Sequence, residues 1–183
     1  MVLLDATERV VSKKGFHAAT TNHIARAAGV SIGTLYHYFP TKEALVAAVV
    51  HRMWQSELIA VMEHARAFEE APLADAIRLA VRALVAEVGR KIALYRSWYS
   101  EASHLGELAT GLAMTDQAVA FVRSVLEAKR SEVRPRDLGF AADLVVKTAL
   151  AMARTGARDY EAQVKSGELA DELADMLTRY LLV

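Results

Sequence analysis

Cysteine is absent from this 183-residue chain, which removes disulfides, thiolate metal sites and thiol nucleophiles together and fits a reducing compartment. Proline occurs only three times, at Pro40, Pro72 and Pro135, each between segments of helical periodicity rather than inside one. An excess of either charge is missing too: Lys plus Arg number 22 and Asp plus Glu number 22, so neither a wholly basic chain nor an acidic tail is present. No stretch free of Asp, Glu, Lys and Arg approaches the roughly 20 apolar residues of a membrane span. Asp5 and Glu8 interrupt the N-terminus where a signal peptide needs an uncharged core. Repeats and low-complexity tracts are lacking as well. These absences lead us to expect a cytoplasmic protein with no membrane segment. What is there in quantity is hydrophobic residues, 54% against 24% charged, enough to build a sizeable core.

The apolar spacing predicts an all-α fold. A first helix runs from about Leu3 to Lys14, with Gly15 where a helix C-terminus favours glycine. Thr20 or Thr21 caps a short second helix from Asn22 to Ala28, ended by Gly29, and a short third begins near Ser31 or Ile32 and stops by Phe39, before Pro40. Thr41 caps a long fourth helix reaching about Arg66. After Pro72 a helix is expected to about Glu87, with Gly89 permitting a break before another that carries Tyr95, Trp98 and Tyr99. Between Glu107 and Arg130 one stripe (Thr115, Val119, Val122, Leu126) is joined by a second (Met114, Ala118, Phe121, Val125), which predicts a helix running through the middle of a bundle. Two final helices, Pro135 to about Tyr160 and Glu168 to Leu182, either close the core or form a partner surface. Residues 1–50 carry five cations (Arg9, Lys13, Lys14, Arg26, Lys42) against three acids, so a mildly basic N-terminal unit, residues 1–46, joins a larger acidic one, residues 47–183, through the stiff fourth helix.

Two helices of about seven residues joined through Gly29-Val30-Ser31 are too short to stand alone in water and must be held by packing, as in a helix-turn-helix. Ile24, Ala28, Val30, Leu35 and Phe39 have the spacing of buried anchors. The other face is left with Thr21, Asn22, His23, Ser31, Gly33, Thr34, Tyr36, His37 and Lys42. That face suits DNA. Thr21 and Lys42, each at a helix start, can meet phosphates, while Asn22 can pair bidentately with adenine and Thr34 can meet a polar base edge or a thymine methyl.

Thr21, Ile24-Ala25, Ala28-Gly29-Val30-Ser31, Gly33-Thr34-Leu35-Tyr36-His37-Tyr38-Phe39 and Thr41-Lys42-Glu43-Ala44-Leu45 together closely resemble the DNA-binding domain of the TetR family of bacterial transcriptional repressors. The resemblance covers about the first quarter of the chain. It implies an all-helical remainder that binds a small-molecule effector and dimerises through its last two long helices. It also implies that Thr21, Tyr36, Tyr38 and Lys42 touch phosphates of a double-stranded operator, and that Asn22, Ile32, Gly33, Thr34 and His37 approach bases. Ile32 departs from the basic or polar residue many relatives have there, and no basic arm precedes the first helix, so weaker operator affinity is expected.

Other readings compete at several residues. Gly29-Val30-Ser31-Ile32-Gly33 matches the nucleophile-elbow pattern, but a helix, not a strand, leads into it, so Ser31 reads as a turn or cap residue and no catalytic residue is assigned. No two of the six histidines lie three to five apart, so neither a metal site nor a cofactor is expected. For the effector, the aromatic and Met residues Trp54, Met62, Phe68, Tyr95, Trp98, Tyr99, Met114, Phe121 and Met152, with His104 as a polar partner, are the pocket candidates. Arg96 and Glu101 lie beside them. Each candidate is also suited to plain core packing. A helical small-molecule binder or enzyme with a degenerate helix-turn-helix is the alternative.

Overall fold

Side-chain caps written into the sequence start each of the short helices near the N-terminus. In a computed structural model, which describes residues 2–102 and 109–182, Thr20 accepts from the His23 N–H at 3.2 Å and starts α2 (Thr21–Ala28). Ser31 accepts from the Thr34 N–H at 3.0 Å and starts α3 (Ile32–Tyr38), and Thr41 accepts from the Ala44 N–H at 3.0 Å and starts α4 (Lys42–Met62). Gly29 ends α2 in the left-handed region at φ 70°, which a side chain would resist. Before them, α1 (Val2–Ala18) is broken at Gly15, whose φ of 82° and ψ of 163° are not helical, so the sequence-predicted end near Lys14 corresponds to this break and a further turn follows it.

The remaining helices are α5 (Ala65–Glu70), α6 (Leu73–Arg90), α7 (Ile92–Ser97), α8 (Ala109–Ala128), α9 (Leu138–Asp159), α10 (Glu161–Ser166) and α11 (Glu168–Leu181). A π-helical turn, Trp98–Ala102, extends α7. No β-strand occurs among the described residues, where an isolated antiparallel bridge joins Val133 to Leu182. One continuous core runs from Leu3 and Val11 in α1, through Val49 and Met53 in α4 and Val85 in α6, to Ala153 in α9 and Leu173 in α11.

Four expectations change. The fourth helix stops at Met62, and a turn leads into the separate α5 rather than on to Arg66. Helix α6 continues through Gly89 and breaks instead at Lys91, with φ −118°. Gly89 serves close packing: a Cβ there would touch Val164 of α10 at 3.4 Å. The third correction concerns α8, which packs on α9 and α4 at the side of the bundle, with α9 central against α6, α7, α8, α10 and α11. Of its two stripes, Met114, Ala118, Phe121 and Val125 stay half-buried because they face a cavity instead of filling the core. Lastly, the expectation of no membrane-length helix needs refining. Helix α4 is long and apolar enough to cross a bilayer by length and composition, yet it buries Leu45, Val49, Val50, Met53 and Trp54 in the core and pairs Arg52 with Glu8 of α1 and the buried Glu57 with Arg154 of α9.

Candidate DNA-binding face and ligand cavity

Helix α3 hangs on one fully buried side chain, Leu35, with Phe39 half-buried beyond its end. Everything else on it faces outward: Ile32, Gly33, Thr34, Tyr36, His37 and Tyr38 are exposed, as is Asn22 on α2. Thr21 Oγ1 and the Tyr36 hydroxyl lie 3.2 Å apart and tie α2 to α3. Thr20, not Thr21, is thus the cap, and Thr21 is half-buried in a side-chain pair. Thr34 Oγ1 is 2.8 Å from Ser31 Oγ, which orients its hydroxyl, and the rings of His37 and Tyr38 meet edge to face at 5.3 Å. A Cβ at Gly33 would meet nothing nearer than Ser31 Oγ at 3.7 Å. Nothing inside the fold therefore calls for glycine there, and its missing side chain leaves room on the outer face. No acid occurs between Glu8 and Glu43, so the face is neutral to basic.

Lys42 is less free than its position suggests. Its ammonium donates to the carbonyl oxygens of Phe16 at 2.8 Å and His17 at 3.4 Å, bracing the last turn of α1 against the start of α4. The same two residues are held from the other side. The Phe16 N–H donates to Ser97 Oγ at 3.0 Å, the His17 N–H donates to Glu101 at 2.7 Å, and the Ser97 hydroxyl donates to Glu101 at 3.0 Å. Trp98 packs edge-on against Phe16 with ring centres 5.8 Å apart. The break at Gly15 is therefore a joint between the helix-turn-helix and α7 with its π-helical turn, and Trp98 and Glu101 belong to it.

The cavity lies between α4, α6, α8 and α9, closed by Phe68 of α5 and by Leu177 and Leu181 of α11, with a volume of about 160 Å³. Five of the sequence candidates line it: Trp54, Met62, Phe68, Met114 and Phe121. Tyr95, Trp98, Tyr99 and Met152 do not, and His104 lies outside the described residues. Tyr95 is buried one layer behind the wall, and Arg96 is paired with Glu161 at 2.9 Å on the surface.

The two charged residues in the lining escaped the sequence reading. Glu57 of α4 is only 2% exposed and receives Arg154 of α9 through Nη2 at 2.6 Å and Nε at 3.0 Å, together with the Tyr95 hydroxyl at 2.6 Å. The guanidinium sits 5.0 Å from the centre of the Trp54 ring. Burial, together with the neighbouring carboxylate, pushes the Tyr95 phenol well above its ordinary value, so it stays a donor. Burial works against the Arg154 charge, but the charge and hydrogen bonds of Glu57 more than offset it and hold the guanidinium above its usual value. Their signal was available. Glu57 falls in the apolar stripe of Met53, Trp54 and Ala60, and Arg154 continues the spacing of Val146 and Leu150; a charge in an apolar stripe asks for a buried partner.

Comparison with known proteins matches residues 3–49 to the model for bacterial regulatory proteins of the tetR family, and residues 72–181 to the tetracyclin repressor-like C-terminal domain. The chain is 42% identical over 48 residues to the HTH-type transcriptional regulator UidR of Escherichia coli strain K12, covering 26% of this chain and 24% of UidR. It is 40% identical over 53 residues to the HTH-type transcriptional repressor KstR of Mycolicibacterium smegmatis, covering 29% and 26%. These matches span about a quarter of each relative's length. The crystal structure of the transcriptional regulator FadR from Bacillus subtilis in complex with stearoyl-CoA superposes with a TM-score of 0.75 at 17% identity, covering 98% of both chains, and so shares the fold. With both halves matched by models of one family, and the second match alone spanning more than half of its length, the chain belongs to the TetR family of bacterial regulatory proteins.

Proposed function

We propose that this protein is a cytoplasmic transcriptional repressor that binds a near-palindromic DNA operator as a homodimer and releases it when a small molecule occupies the cavity. One observation carries the reading: Lys42, beside the DNA face, and Glu57, in the cavity wall, stand on the same unbroken helix α4. Fifteen residues of helix place them about 22 Å apart along a rigid rod. A guest that displaces Glu57 or Trp54 thereby tilts the base of α3. The joint at Phe16 and His17 gives the ligand-binding half a second grip on the same head. To exert control the ligand must bind the two arrangements unequally, typically by about 1 to 3 kcal/mol.

On DNA, Thr21, Tyr36, Tyr38 and Lys42 are assigned to phosphates, and Asn22, Ile32, Gly33, Thr34 and His37 to the major groove. Phe140 and Leu144 on α9 and Met176 on α11 are exposed apolar side chains, which supports pairing of two chains through these helices. Such a dimer presents two α3 helices to half-sites one turn, about 34 Å, apart or a multiple of it.

Selection of sites from a random duplex pool by the purified chain at low salt, followed by a salt titration of the enriched sequence, tests this reading. An inverted repeat bound with a steep salt dependence is the expected result. A folded dimeric protein that enriches no sequence overturns it.

A further inference from the structure

The chemistry of the cavity wall narrows what the ligand is. Apart from Glu57, Arg154 and the hydroxyl of Thr115, the side chains lining it are apolar, so a pocket of this size favours an apolar guest about as large as one substituted aromatic ring. The two charges in the wall cancel each other. Both carboxylate oxygens of Glu57 accept from Arg154, and Oε1 also accepts from Tyr95, so the carboxylate is fully used. An anionic guest reaching for Arg154 would stand against this buried carboxylate or strip it of its cation, and a cationic guest reaching for Glu57 would meet the guanidinium. Either charge is costly here. Of the Arg154 nitrogens, Nε and Nη2 are spent on Glu57, while none of the described hydrogen bonds uses Nη1.

We propose that the cavity takes an uncharged, largely hydrocarbon molecule carrying one hydrogen-bond acceptor, such as a ketone or ester oxygen, received by Nη1 of Arg154 with the body of the guest between Trp54, Met114 and Phe121. This rests on the reading of the cavity as the effector site. It makes the Glu57–Arg154 pair a charge filter as well as a bond between α4 and α9. The guest does not need to break the pair; by drawing Arg154 toward itself it loads the bond to Glu57 and so acts on α4.

The test is calorimetric titration of the full chain with four probes of similar size: propiophenone, propylbenzene, phenylacetate and phenethylammonium. Propiophenone should bind several-fold tighter than propylbenzene, which lacks the acceptor, and at least tenfold tighter than either charged probe. In the Glu57→Gln variant the guanidinium loses its counter-charge, and phenylacetate should gain at least tenfold relative to propiophenone. Ala118→Phe, which fills the cavity from α8 and leaves the ion pair alone, should abolish binding of all four and guards against a Glu57→Gln chain that does not fold. Phenylacetate or phenethylammonium binding the unaltered protein as tightly as propiophenone overturns the charge filter. Propiophenone bound no tighter than propylbenzene overturns the acceptor contact. If no probe binds a protein that still selects DNA, this inference fails and the repressor reading stands. If propiophenone binds as described but no duplex is selected, the inference stands and the repressor reading fails.

Discussion

The Lys42 ammonium stands 2.8 Å from the carbonyl oxygen of Phe16, at the end of α1 and 26 residues away in sequence. The charge that begins α4 is thus also the clasp that fixes α1 to it. Lys42→Ala should lower operator affinity for all sequences, reduce the slope of log affinity against log salt by about 1, and destabilise the fold by about 1 kcal/mol. Lys42→Arg should restore the slope. Filter binding across a salt series and urea denaturation check the two effects separately, and an unchanged slope would remove Lys42 from the DNA contacts.

Gly33 separates fold from recognition more cleanly. It lies within α3, where glycine costs a helix about 1 kcal/mol relative to alanine, and a Cβ there meets only Ser31 Oγ at ordinary contact distance. Gly33→Ala should therefore raise stability by about 0.5 to 1 kcal/mol, while Gly33→Leu should weaken operator binding at least tenfold by blocking backbone approach. Retained operator affinity in the Leu variant would place the DNA elsewhere.

Gly15 answers to the opposite logic. Its φ of 82° strains any other residue, and a Cβ would strike the Glu101 carboxylate that holds the His17 N–H. Gly15→Ala should destabilise the protein by about 1 to 3 kcal/mol and loosen the joint. Hydrogen exchange at the His17 amide, which should quicken far more than exchange in α9, reads this out.

Removing the Tyr95 hydroxyl tests the buried pair. Tyr95→Phe deletes the 2.6 Å bond to Glu57 while keeping the ring, and should cost about 1 to 3 kcal/mol because the carboxylate stays buried with one donor fewer. A change within experimental error, measured by thermal unfolding, would mean that Arg154 alone suffices.

Glu87 supplies a pH dependence. Burial alone would raise its carboxyl, but hydrogen bonds from Ser56, Lys91 and Arg90 more than offset this, and its pKa stands below the ordinary 4.5. A carboxyl depressed in the folded state adds stability that is complete above 4.5 and fades as pH falls through the folded value. Tm should thus drop on acidification below pH 4.5, and Glu87→Gln should flatten that part of the profile relative to the unaltered chain.

Much of the N-terminal third was legible because its determinants are local. Thr41 caps α4 by accepting from an N–H three residues ahead, Gly29 accepts a left-handed turn, Leu35 falls at the spacing of an anchor, and none of these depends on a distant residue. The cap at Thr20 rather than Thr21 and the helical course through Gly89 could not be read so well, since the hydroxyl of Tyr36, 15 residues from Thr21, and a neighbour on α10 bear on them. The ligand candidates divided for the same reason. Hydrophobic residues at helical spacing announce a buried face without saying what it faces: Trp54 and Phe121 face a cavity, whereas Trp98 faces Phe16, 82 positions earlier in the chain.

By itself, then, the sequence determined the helical class, the turn between α2 and α3 and the exposed residues of α3, because capping, backbone conformation and periodicity act over a few residues. The tertiary structure alone decided where α4, α6, α8 and α9 leave a space. It also brought Glu57 against Arg154, 97 positions away, and set Glu101 on the break in α1. A cavity and a buried ion pair exist only once helices distant in sequence are packed, since each is defined by the partners it meets or lacks across that packing.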